Sequence, residues 1–121
     1  MTTEKATLLL KFWLNECGVI YEEEYKFHPE RNWRLDIAIP SHKLGFEIDG
    51  GIFTNGRHVR GVGYCKDCIK FLHAAHLGWT ILRLPLQWFD HHKFKVQREH
   101  LVCCEDLEKM IKERIKDERY D

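Results

Sequence analysis

The sequence predicts one α/β domain, a mixed sheet with helices against it. Three observations carry this. A helical apolar repeat opens the chain, strand-like alternation follows over residues 33–49, and a second helical stretch separates those strands from another apolar run at 79–84. At 121 residues, with 44% apolar content, one domain with one core is expected, its main body spanning about 1–90 and a last helix about 96–119.

Each element has its own signal. Ala6, Leu9, Leu10, Trp13, Leu14 and Cys17 recur at three and four, so a helix over 3–17 is expected. Thr3 can cap it and Gly18 stop it. Residues 19–27 read as a first strand and 28–32 as a turn. In 33–39, Trp33, Leu35, Ile37 and Ile39 are expected on one face, with Arg34 and Asp36 on the other. Pro40, Ser41 and His42 are short enough to join a hairpin. In 43–49, Leu44, Phe46 and Ile48 face the core while Glu47 and Asp49 point away.

Residues 50–63 hold five glycines and two arginines and read as a long functional loop. They match neither the phosphate-loop nor the dinucleotide fingerprint. A helix over 64–77 ends at Gly78, and 79–84 reads as a buried strand closed by Pro85. Residues 86–94 are irregular or a short helix. The last helix is apolar at Leu101, Cys104, Leu107, Ile111 and Ile115. The first three strands can pair as a meander; the fourth joins after a helical crossover, which makes the sheet mixed.

Composition bounds the function. Net charge is zero, so nucleic-acid binding must come from local patches rather than a global basic field. No stretch is apolar enough to span a membrane and the start shows no signal-peptide pattern, so a soluble, cytoplasmic protein is expected. Five cysteines, an odd number, are expected to be reduced thiols.

The hairpin can gather Asp36, Glu47 and Asp49. Three carboxylates on a half-buried sheet repel one another and are most simply explained by a cation between them. Mg²⁺ or Mn²⁺ suits such oxygen ligands; the plain alternative is a solvated acidic face. Cys65, Cys68, His73 and His76 invite a zinc reading. Their pairs are only four residues apart, on a stretch that reads as one helix, so Cys65, Cys68 and Cys104 read more simply as small core residues.

Asp36, ten residues, then Glu47-Ile48-Asp49 resembles the PD-(D/E)xK nuclease superfamily. The wider set is Phe27-His28-Pro29, Trp33-Arg34-Leu35-Asp36, Glu47-Ile48-Asp49-Gly50-Gly51, Gly56-Arg57-His58 and Gly78-Trp79-Thr80-Ile81-Leu82-Arg83. It resembles small phage and prophage endonucleases related to very-short-patch-repair enzymes. The resemblance covers most of 1–85. It implies a restriction-endonuclease-like αβββαβ core, Mg²⁺- or Mn²⁺-dependent cleavage of DNA, and a cytoplasmic site of action in a bacterial host. It makes Asp36 and Glu47 metal ligands and brings in Glu4 on the first helix as a further one.

The chain departs from the pattern where the family's lysine falls on Asp49. Asp49 can support a second ion, or a cation can come from elsewhere; Lys70, on a polar stripe with Asp67 and His73, is the candidate. His58 would act as a general acid or phosphate ligand, and Arg57 and Arg60 would clamp phosphate. A homodimer would suit double-strand cleavage. The rival expectation is a module of the same fold that binds nucleic acid without cutting it, which the missing lysine favours.

Overall fold

The computed structural model describes residues 1–50, 57–89 and 109–115, with the backbone alone for 57–62. The chain builds α1 (Thr3–Cys17), β1 (Glu22–Lys26), β2 (Arg34–Ile39), β3 (Leu44–Asp49), α2 (Arg57–His76) and β4 (Thr80–Pro85). Residues 109–115 form a helix, α3. Short 3-10 turns, Pro40–His42 and Leu86–Phe89, follow β2 and β4. The sheet order is β1-β2-β3-β4. The first two pairings are antiparallel and β3–β4 is parallel, so the expected mixed α/β sheet is found.

Apolar spacing decides which faces the helices cover. Ala6, Leu10, Leu14 and Cys17 put one stripe of α1 into a core with Ile37, Ile39, Leu44, Phe46 and Leu84. Phe89, Ile111 and Ile115 join it, so α1 and α3 share one face of the sheet. A smaller core of Phe27, Leu35, Ala38, Ala74 and Trp79 lies under α2 on the other face. The capping residue of α1 is Thr2, one earlier than expected; its hydroxyl accepts the Lys5 N–H at 3.2 Å. Gly18, at φ 72°, ends α1 as expected. Leu9 and Trp13, expected on the buried stripe, lie at its margin, Leu9 exposed and Trp13 stacked on Phe89.

Several other expectations are corrected. Strand β1 is confined to Glu22–Lys26. Helix α2 begins at Arg57, seven residues before the expected start, so 57–63 is helix rather than loop. Glycines lower helix propensity by about 1 kcal/mol each without forbidding a helix that longer contacts support. Residues 51–56 lie outside the described part, as do 90–108 and 116–121, which hold most of the expected last helix. Cys65 and Cys68 are exposed, not core, because Ala74 marks the buried side of α2. Strand β4 ends the order of the described sheet; of its apolar residues Leu84 is fully buried while Ile81 and Leu82 are half-buried.

The alternation expected in β2 also breaks. Ile37 and Ile39 enter the α1 core, whereas Leu35 enters the α2 core beside Ala38. The switch falls at Asp36. Opposite it on β1, Glu24 has φ 49°, between the pairs Glu23↔Ile37 and Tyr25↔Leu35. A left-handed conformation at a non-glycine residue costs about 1–2 kcal/mol, and here it kinks the exposed outer strand.

Gly45 allows this arrangement. A Cβ there would meet Leu35 Cδ1 at 2.5 Å and Ile81 Cδ1 at 3.0 Å, and Leu35 is fully buried. Gly45→Val is therefore expected to destabilise the fold by about 1–3 kcal/mol through overpacking. A urea midpoint equal to wild type would show that this core can yield.

Candidate active site

The β2–β3 ladder pairs Ile37 with Phe46, Ala38 with Gly45 and Ile39 with Leu44. Beyond these pairs the strands part, and side chains take up backbone groups. Asp36 Oδ2 accepts the Ile48 N–H at 2.8 Å. Lys70 Nζ, reaching down from α2, donates to the Arg34 carbonyl at 2.6 Å and to Glu47 Oε1. The opening therefore holds Asp36, Glu47 and Lys70 together, on elements far apart in sequence.

Burial sets the electrostatics of this trio. The Glu47 and Lys70 side chains are 17% and 15% exposed. Burial raises the Glu47 pKa from its ordinary 4.5 to about 7, against the pull of Lys70 and with a further push from the Asp36 carboxylate. Desolvation thus outweighs the ion pair. The site holds a carboxyl poised near neutrality between a second acid and an ammonium.

Asp49 pairs with a cation of its own. Its carboxylate pairs with Arg83 Nη2 at 3.1 Å, and the same nitrogen lies 3.8 Å from Asp67 on α2. The Arg83 guanidinium stands 5.1 Å from the centre of the Phe71 ring. Arg83 pairs with Glu47 across the parallel β3–β4 ladder, so both side chains share the α2 face. The sequence reading did not single out Arg83. Its signal was a lone charge inside the apolar run Ile81-Leu82-Arg83-Leu84.

A histidine pair borders the site. His28 Nδ1 accepts the backbone N–H groups of Glu30 and Arg31 at 3.1 and 2.9 Å. Its proton therefore sits on Nε2, which donates to His73 Nδ1 at 3.1 Å. This ties the β1–β2 turn to α2 one helical turn beyond Lys70. Trp33 packs against both rings.

Glu4 is exposed in the first turn of α1. Its neighbour Thr3 comes close to Gly50, where an added Cβ would meet the Thr3 methyl at 3.0 Å, so this turn lies near the end of β3. Arg57, His58 and Arg60 lie in the first turn of α2; their side chains lie outside the described part. Cys65, Cys68, His73 and His76 lie on one continuous helix, as expected. Among the described residues no three His, Cys, Asp or Glu side chains form a ready metal-binding group, and no helix is long and apolar enough to cross a membrane. No family model, curated protein or solved structure matches the chain.

Proposed function

We propose that this protein is a metal-dependent endonuclease that hydrolyses DNA phosphodiester bonds, of the PD-(D/E)xK type that its motifs resemble. One observation carries the reading: Glu47, half-buried beside Asp36, is met by Lys70 at the point where β2 and β3 part. The resemblance left the motif lysine missing, and that gap was the best support for a non-cutting module. Lys70 supplies an ammonium at the motif glutamate from another element, which removes that support.

The residues present fit a divalent cation. Magnesium is held by one or two carboxylates, with waters and substrate phosphate completing the shell. Asp36 and Glu47 are such a pair, adjacent where β2 and β3 part. A Mg²⁺ or Mn²⁺ ion held there would polarise the phosphate and lower the pKa of a water. Asp36 stays oriented because the Ile48 N–H fixes one of its oxygens. Lys70, anchored on the Arg34 carbonyl, places a charge where negative charge grows as the phosphate is attacked. His58 and the arginines of the first turn of α2 are candidates to contact substrate.

The test is cleavage of supercoiled and branched DNA with Mg²⁺, Mn²⁺ or chelator, by wild type and Asp36→Asn. Asparagine keeps an oxygen for the Ile48 N–H, so the variant should stay folded by circular dichroism. Metal-dependent nicking by wild type that Asp36→Asn loses is the expected result. A wild type that cuts no substrate with either metal would sink the proposal.

A further inference from the structure

The position at which the motif lysine is replaced has its own geometry. Asp49 pairs its carboxylate with Arg83. Arg83 is held on three sides, by Asp49, by Asp67 and by the face of Phe71, yet its side chain stays 43% exposed. Both acids meet the same nitrogen, Nη2, and a guanidinium carries further N–H donors beyond it. A guanidinium fixed in direction and open to solvent suits a tetrahedral oxyanion. The β3–β4 register sets it beside Glu47, on the same face.

We propose that Arg83 binds a backbone phosphate of the nucleic acid beside the bond that is cut, and that Asp49 and Asp67 position it. The identity of the ligand rests on the nuclease reading; the anion-binding geometry does not. The substitution of aspartate at the lysine position is then a division of labour. Lys70 gives the ammonium at Glu47, and Asp49 holds a second cation for the neighbouring phosphate. Acids outnumber cations in this cluster, so the phosphate is taken best once the carboxylate pair carries its divalent ion.

The experiment measures binding of a short fluorescent duplex by anisotropy across a salt series in Ca²⁺, an oxygen-seeking divalent cation, with gels to check that the duplex stays intact. It is paired with steady-state cleavage in Mn²⁺. Arg83→Ala should reduce the slope of log affinity against log salt by about one and weaken binding roughly tenfold, the loss of one charged hydrogen-bonding contact. Arg83→Lys should keep the slope and still lose rate, because a point charge lacks the fork. Asp49→Asn should keep the slope and lower kcat with KM little changed, without raising the Mn²⁺ concentration needed for half-maximal rate.

An unchanged slope in Arg83→Ala overturns the proposal. So does a higher Mn²⁺ requirement in Asp49→Asn alone, which would make Asp49 a metal ligand. A wild type that binds DNA through Arg83 but cuts nothing would overturn the nuclease reading and leave the phosphate site standing. A wild type that cuts, with Arg83→Ala binding normally, would do the reverse. A wild type that binds no DNA overturns both.

Discussion

Glu47→Gln is expected to abolish cleavage while stabilising the metal-free protein more and more as pH rises. The catalytic loss follows from removing half of the carboxylate pair. Charge stabilisation by a bound metal ion is worth several kcal/mol, which at 1.36 kcal/mol per tenfold amounts to roughly 10³-fold in rate. The gain in stability follows from burial. Below pH 4.5 Glu47 carries its proton in both folded and unfolded chains, and it adds no pH-dependent penalty. Between 4.5 and about 7 the unfolded chain has released that proton and the native protein retains it, so native stability falls. Above 7 the penalty is complete. A shift of this size corresponds to about 3 kcal/mol, and glutamine does not titrate. The stability difference between variant and wild type should therefore widen by that order from pH 4.5 to 7 and then level off. Urea denaturation in chelator over this range reads it directly. A difference that stays flat with pH would mean that Glu47 is solvated. Divalent ion should then raise wild-type stability by mass action, about 2.7 kcal/mol at a hundred times Kd, and leave Glu47→Gln unmoved.

Lys70→Ala should cost both activity and stability. Its ammonium faces Glu47 and the Arg34 carbonyl, and nothing in alanine replaces either contact. Removing one donor to a developing oxyanion costs ~10²–10³-fold in kcat. Removing one member of a largely buried ion pair leaves the other uncompensated, at roughly 3 kcal/mol. That loss should be largest above pH 7, where Glu47 is ionised, and smaller at pH 5, where burial keeps it protonated. The double variant Lys70→Met/Glu47→Gln isolates the stability role. It should recover most of the lost stability, because the orphaned charge is gone, and recover no activity. Cleavage by the double variant would contradict the metal-ligand role given to Glu47.

What could be read from the sequence divides along physical lines. Period-two alternation placed Glu47 opposite Leu44, Phe46 and Ile48, and the three-and-four repeat placed Ala6, Leu10 and Leu14 in the core. Local pattern suffices where one face is uniformly apolar. Lys70 was legible because Asp67, Lys70 and His73 form a polar stripe at helical spacing on an element that had to cross the sheet. Asp36 was legible as a residue, but not the parting of strands around it. That goes with a positive φ at Glu24 on the neighbouring strand, which no local signal announces. The early start of α2 was hidden by its glycines. Exposure of Cys65 and Cys68 depends on which side of α2 meets the sheet, a tertiary outcome. Arg83 was quoted in the resembling string but given no role, because its strand was read as buried; its significance appears only with the register that sets it beside Glu47.

Strand β1 has a consequence for how the protein behaves in concentrated solution. It borders the described sheet, and Glu22, Glu23 and Glu24 lie exposed along it. An outer strand offers its unpaired amides and carbonyls as a template for another chain, the first step toward fibrils. Here a docking strand would meet three adjacent acids and, at Glu24, a bend that breaks straight registration. The same local kink that accompanies the opening at Asp36 thus guards this border against edge-to-edge self-association.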